Sequence, residues 1–267
     1  MKKEIATFSD KEEIMALWNQ CFDDSPEFNS WYFDALYHNG EVHILRKNGE
    51  IVSMLTLFNI ALSEIGNVKY IYGACTKKQH RGSGYMSTLL REILSEFPRC
   101  ILIPASQTLF DYYSKFGFET SFSRYNPAVS ALDLSYKVRN ITTADIEAVN
   151  NLYLNSVKNR VYAIRDAHHW QVCLDMLFAL DGYALLIEKD NKPAGYAFAY
   201  NEQPFELMEI VSENESTLPF CIGAVENHLS KKASRIFSPV AVGNSMPIGM
   251  SYGCDLHKNS YINLLFN

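Results

Sequence analysis

The chain lacks most of the features that would assign it to a class at once. No run approaches the roughly 18 to 20 apolar residues of a membrane span, so no transmembrane segment and no membrane partner are expected. The opening MKKEIATFSDKEEIM has two lysines but no apolar stretch behind them, which argues against a secretory signal and for a cytoplasmic protein. Six cysteines (Cys21, Cys75, Cys100, Cys173, Cys221 and Cys254) lie far apart, with no CxxC and no histidine at zinc-ligand spacing. Neither a disulfide framework nor a metal site is expected, and the thiols read as reduced. Basic charge is also short: 24 Lys and Arg stand against 30 Asp and Glu, for a net charge of −6. Without a basic stripe to follow phosphates, nucleic acid is not an expected partner.

What the chain does have is apolar bulk, 48% of 267 residues, enough for one large core or two domains of about 130 residues. Spacing predicts a helix over SDKEEIMALWNQCF, with Ser9 and Glu12 as a capping box and Ile14, Leu17, Trp18 and Cys21 on one face. SPEFNSWYFDALY reads as a second helix, opened by Ser25 and Pro26. EVHILRK and EIVSMLTLFNIAL read as strands joined by an Asn48-Gly49 hairpin turn. VKYIYGACT and CILIPA follow as strands, and QTLFDYYSKF as a helix ended by Gly117. An α/β (α+β) fold results, with a mixed, mainly antiparallel sheet flanked by helices.

The pattern then repeats. Thr7, Asp10, Glu12, Leu17 and Trp18 recur at constant offset as Thr142, Asp145, Glu147, Leu152 and Tyr153, and HILRKNGEIVSML has a counterpart in ALLIEKDNKPAGYAF. Two tandem units are expected, residues 1–136 and 137–267. One difference is decisive. Only the first has QHRGSGYM (79–86) between a strand and a helix.

Glycines at a helix start let an anion approach unpaired N–H groups, so this stretch reads as a phosphate site. It lacks the spacing and lysine of a P-loop, and Ser87 stands where a dinucleotide fingerprint has its third glycine. GACTKKQHRGSGYMSTLL instead resembles the acetyl-CoA motif of the GNAT superfamily of N-acetyltransferases, with Gln79 to Gly84 matching its Q/R-x-x-G-x-G/A loop. FDYYSKFGFE resembles the family's second signature, through Tyr113, Gly117 and Phe118.

The resemblance implies an acetyl-CoA-dependent N-acetyltransferase acting on a small-molecule or protein amine by direct attack in a ternary complex, with no metal. Ala74, Cys75 and Thr76 would pair with pantetheine, the amides of Cys75 or Thr76 would stabilise the oxyanion, and Arg81, Gly82, Ser83, Gly84, Tyr85 and Met86 would cradle the pyrophosphate. Ser106 would face the cofactor arm, and Tyr113 would protonate the departing thiolate. Cys75 reads as a small buried strand residue rather than a nucleophile. Asp24, Glu27 and Trp31 are candidates for the acceptor site. An acidic helix start and a packed aromatic are the plainer readings of them.

Tandem units with one loop are similar to the enhanced-intracellular-survival acetyltransferases without their sterol-carrier-like domain. In that group the terminal carboxylate, borne on the domain missing here, can act as base; the resemblance therefore does not carry that role over, and the carboxylate of Asn267 is the option that remains. The second unit would then be a degenerate GNAT-like domain. A non-catalytic acyl-CoA-binding module, or transfer of another acyl group, is the alternative.

Overall fold

The computed structural model describes residues 2–37, 41–256 and 259–265. Asn267 lies outside them. The chain divides into two compact units. The first comprises the residues up to Ser121 together with Gly249–Leu256, and the second comprises Phe122–Ile248 with 259–265.

In the first unit, β1 (Glu4–Ile5), α1 (Lys11–Cys21) and α2 (Pro26–Trp31) precede a meander of β2 (Glu41–Lys47), β3 (Glu50–Leu62) and β4 (Gly66–Thr76). α3 (Tyr85–Glu96), β5 (Cys100–Leu102), α4 (Gln107–Ser114) and the start of β6 (Glu119–Asn126) follow. β2, β3 and β4 pair antiparallel, and β4 runs parallel to β5. The predicted hairpin turn has Asn48 and Gly49 at φ 53° and 87°, the positive values a two-residue turn between twisted strands requires. α2 opens as expected, with the Phe28 amide donating to Ser25 Oγ at 3.1 Å. The cap of α1 differs from expectation. The Thr7 amide donates to Asp10 Oδ2 at 2.8 Å, so Ser9 and Glu12 are not the capping pair. The same device recurs where the sequence repeat places it, with the Thr142 amide 2.8 Å from Asp145 Oδ2.

The second unit contains β7 (Tyr136–Asn140), α5 (Ile146–Val157), α6 (Ala167–Ala179), β8 (Tyr183–Lys189), β9 (Lys192–Ala199), β10 (Glu206–Ser212), α7 (Leu218–Leu229), β11 (Arg235–Ile236) and the start of β12 (Asn244–Tyr252). Its sheet has the order β11-β10-β9-β8-β7. Its core holds a fully buried ion pair: both nitrogens at the end of the Arg165 guanidinium bond the two Glu209 oxygens at 2.7 Å.

The boundary expected at residue 136 does not coincide with the division between the units. The far end of β12 joins the first sheet, whose order is β1-β2-β3-β4-β5-β12-β6. Met250, Ser251 and Tyr252 pair antiparallel with Leu102, Ile101 and Cys100, and the hydroxyls of Ser121 and Ser251 meet at 2.6 Å. Strand pairing is bound by backbone hydrogen bonds, which sequence distance does not limit, so a late segment can supply a strand to an early sheet.

Two layers of helix cover the first sheet. On one face Trp18 of α1 stacks on Tyr32 at 4.6 Å and meets Tyr72 of β4 at 5.7 Å. On the other, Leu89, Leu90 and Ile93 of α3 and Tyr113 of α4 pack on Leu55, Leu57 and Ile71. Burying such side chains stabilises by about 1.5 to 3 kcal/mol each, which sets α3 and α4 firmly beside β4.

Candidate active site

β4 decides the geometry. Its pairing with β5 covers only Lys69, Ile71 and the tyrosine between them, so from Tyr72 to Thr76 that edge has no strand beside it among the described residues. Its pairing with β3 shifts register between Thr56↔Tyr72 and Met54↔Cys75, a bulge of one extra residue at Gly73 and Ala74. Gly73 takes φ 58° there, and a Cβ on it would stand 2.4 Å from the Trp18 ring. A glycine inside a strand pattern is the sequence signal for such a kink.

The backbone beyond the bulge can be oriented. The Lys77 amide donates to Val52 O on β3 at 2.9 Å, and the Cys75 carbonyl accepts from Ser53 Oγ at 3.0 Å. Since backbone groups alternate sides along a strand, Thr76, between Cys75 and Lys77, turns its N–H group to the open edge. Thr76 O accepts from Arg81 Nε at 3.2 Å on that side. The Cys75 amide, one of two expected to reach an oxyanion, therefore faces β3 instead.

The open edge leads into the glycine loop. Gly82 and Gly84 have φ 77° and 82°, and a Cβ on either would meet nothing within 4 Å, so the space above them is clear. The amides of Gly82, Gly84, Tyr85 and Met86 have no backbone acceptor among the described residues. Those of Arg81 and Ser83 bond Lys78 O and His80 O at 3.4 Å, so the six-residue cradle expected from sequence reduces to four free donors. The side chain of Tyr85 is core, not site. A diphosphate fits the donor set: N–H groups at a helix start, with Lys78 and Arg81 alongside.

Tyr113 stands on α4 within the cluster that Ala74 and Met86 also join. It is buried, packs on Tyr112 and Phe118 at 5.3 and 5.9 Å, and its hydroxyl has no protein hydrogen-bond partner among the described residues. Burial, with smaller pushes from Tyr112 and Cys75, raises its phenol above the ordinary value. Tyr112 is engaged, its hydroxyl 3.2 Å from Ser87 Oγ on α3. Ser106 is the exposed residue before α4, and its hydroxyl bonds Thr108 Oγ1 at 2.9 Å.

The acceptor candidates separate. Asp24 lines a hollow of about 540 Å³ between α1 and α2, together with Asp23, Asp34 and Lys11. Its Oδ2 accepts from Trp18 Nε1 at 2.8 Å, and burial raises its pKa against that bond. Glu27 and Trp31 do not line the hollow; Glu27 sits exposed in the first turn of α2, and Trp31 packs on Phe28 at 6.0 Å. Sequence reasoning missed Cys21, whose sulfur lies 3.5 Å from Thr76 O, because α1 and β4 meet only through the fold.

The second unit closes each corresponding opening. β10 pairs with the β11 strand as far as Ile210, whose amide donates to Phe237 O at 2.9 Å, and Ser238 Oγ donates to Ile210 O at 2.7 Å. Ahead of α7, Asn214 Oδ1 accepts from the Ser216 and Thr217 amides at 3.1 Å each, so a side chain occupies the helix start that a phosphate would need.

Residues 4–121 match the family model described as acetyltransferase (GNAT) domain. No curated protein sequence matches significantly. Among solved structures, a GCN5-related N-acetyltransferase from Anabaena variabilis has 18% identity and a TM-score of 0.68, over 94% of this chain and 72% of its own. The GCN5-related N-acetyltransferase from Kribbella flavida has 16% identity and 0.65, over 94% and 70%. Eis1 from Mycobacterium abscessus has 11% and 0.58, over 94% and 73%. No helix among the described residues is long and apolar enough to cross a membrane. Residues 4–121 thus match the model of a GNAT acetyltransferase domain, and the chain has the fold of the GNAT N-acetyltransferases, Eis1 included.

Proposed function

We propose that this protein is an acetyl-CoA-dependent N-acetyltransferase that moves an acetyl group to a primary amine by direct attack in a ternary complex. The observation that carries this reading is the unpaired edge of β4, running from Ala74 to Thr76 straight into the free amides at the start of α3. An extended pantetheine arm pairs with the edge and the diphosphate sits on the amides of Gly82, Gly84, Tyr85 and Met86. The first unit, residues 1–136 as read from sequence, holds the single site, and the second has lost it.

With the thioester at the bulge, the Thr76 N–H donates to the carbonyl oxygen and stabilises the tetrahedral oxyanion after amine attack. The Tyr113 hydroxyl, neutral and unpartnered, gives its proton to the CoA sulfur as the carbon–sulfur bond breaks. Asp24 and its acidic neighbours favour a cationic acceptor entering between α1 and α2. Since Asp24 is engaged by Trp18, it acts on the amine through charge rather than as an unencumbered base.

Incubation with acetyl-CoA and a panel of primary amines, read by thiol release, is the test. Turnover with at least one amine is expected. Tight CoA binding with no turnover across the panel would leave the non-catalytic acyl-CoA module standing, and a chain-length series of acyl-CoAs separates acetyl from longer groups.

A further inference from the structure

The second unit holds a hollow of about 520 Å³ that the transfer chemistry does not use. One wall is the end of α5, which brings Lys158 and Arg160, and another is the loop ahead of α7, which brings Glu213 and Glu215. Tyr125 and Val240 add an apolar side. The volume is within the range of small-molecule sites. A diphosphate is not its ligand, because Asn214 Oδ1 already occupies the helix start beside it.

The four charges share the hollow without neutralising one another. Among the described residues none of them makes an ion pair. Arg160 is taken up by main-chain oxygens: Nε donates to Asn259 O at 2.6 Å, and the terminal nitrogens donate to Pro239 O and Ser260 O at 3.0 and 3.2 Å. Carbonyl groups satisfy its hydrogen bonds and leave its charge unmatched. Lys158 Nζ donates to Asn155 Oδ1 at 3.2 Å, which leaves two of its three hydrogens for a ligand. Asn155 also fixes the spacing of the walls, because its Nδ2 donates to Glu213 O at 2.9 Å while its Oδ1 holds Lys158. The Glu213 amide is held in turn by Ala194 O on β9 at 3.0 Å. Walls set before a ligand arrives lose little freedom on binding.

A purely anionic ligand would meet Glu213 and Glu215, and a purely cationic one would meet Lys158 and Arg160. A ligand that carries both signs complements both walls. We propose that this hollow binds a free α-amino acid as its zwitterion, with the carboxylate toward Lys158 and Arg160, the ammonium toward Glu213 and Glu215, and the side chain against Tyr125 and Val240. Lys158 supplies hydrogen bonds to the carboxylate. Arg160, whose donors serve the main chain, acts on it through charge.

Equilibrium dialysis of the full chain against each of the common amino acids, without acetyl-CoA, is the test. At least one should bind with a Kd of about 1 mM or tighter. Its amide, which lacks the carboxylate, and its N-acetyl form, which lacks the ammonium, should each bind about tenfold more weakly. Matched variants separate this hollow from the acceptor site read in the first unit, for which an amino acid amine is also a candidate. Lys158→Gln should narrow the preference over the amide to about threefold or less and leave that over the N-acetyl form, and Glu213→Gln with Glu215→Gln should do the reverse. All three side chains are exposed, so the variants should melt with the wild type. Failure of every amino acid to bind below about 10 mM overturns the proposal. Binding that the variants leave unchanged overturns it too, as does a site where they abolish binding of inorganic phosphate or glucose and no amino acid competes.

Discussion

The ring of Trp18 lies directly against the backbone of Gly73, so that a Cβ at position 73 would fall 2.4 Å from Cζ3 of the indole. This contact ties the bulge that opens β4 to the helix before it, with Trp18 itself held by Asp24. Gly73→Ala adds a positive-φ strain to the clash, and neither a ring wedged among Tyr32, Phe33 and Tyr72 nor the strand can yield cheaply. A loss of about 2 to 4 kcal/mol is expected in denaturant unfolding, with CoA affinity reduced in the folded fraction. A change under about 0.5 kcal/mol would refute the contact.

Tyr113→Phe should lower turnover by about 100-fold or more while CoA affinity stays within about twofold. Among the described residues the hydroxyl has no protein partner to lose, so stability should change little. Because burial holds the phenol above its ordinary value of 10.0, Tyr113 stays protonated through pH 9, and any alkaline fall in wild-type rate below that pH belongs to another group. Equal rates for the two proteins would remove Tyr113 as the acid.

Gly84→Val tests the cradle. The residue has φ 82° with open space around it, so the backbone strain costs about 1 kcal/mol, but the new side chain stands where the diphosphate would sit. Calorimetry should register a weakening of CoA binding by about tenfold or more, beyond what the stability loss explains. Unaltered binding would place the phosphates elsewhere.

Asp145 caps the turn before α5 and pairs with Arg139 at 2.8 Å. Its folded pKa is held well below 3.8, first by Arg139 and then, against burial, by the Thr142 amide and hydroxyl. A depressed carboxyl stabilises above its unfolded pKa, so this contribution is complete above about pH 5 and drains away as pH falls below about 4. With Arg139 43% exposed, screening limits the effect, and Asp145→Asn should cost about 0.5 to 1 kcal/mol at pH 7. The variant and wild type should converge in stability at acid pH; a constant difference down to pH 2 would contradict the linkage.

Arg165 and Glu209 are both fully buried. Burial opposes the Glu209 charge, but Arg165 and hydrogen bonds from Tyr196 and Tyr261 outweigh it and hold the carboxyl below its ordinary value. Glu209→Gln strands the guanidinium and should cost about 3 to 5 kcal/mol in chemical unfolding, whereas Arg165→Met with Glu209→Leu should recover much of that. A double variant no better than the single one would mean that the ion pair contributes more than its own desolvation costs.

Local chemistry along the chain was enough to read the hairpin at Asn48-Gly49, the Ser25-Pro26 helix start and the glycine loop ahead of α3. Each depends on residues within one turn or one strand of each other, where backbone preference and periodicity operate. Even there neighbours competed: Asp10 took the cap from Glu12 because the Thr7 amide reaches it first.

Everything that required distant segments to meet was decided by tertiary structure. The strand that ends at Tyr252 completes the first sheet through backbone bonds that leave no trace in side-chain pattern. Which amides beyond Gly73 face the open edge followed from a bulge in one pairing, not from the residue types: of the two expected donors, Thr76 faces it and Cys75 does not. The Cys21 sulfur reaches the Thr76 carbonyl, 55 residues away along the chain. Spacing shows what a segment can do with its own neighbours; burial and long-range contact decide which groups are left free to react.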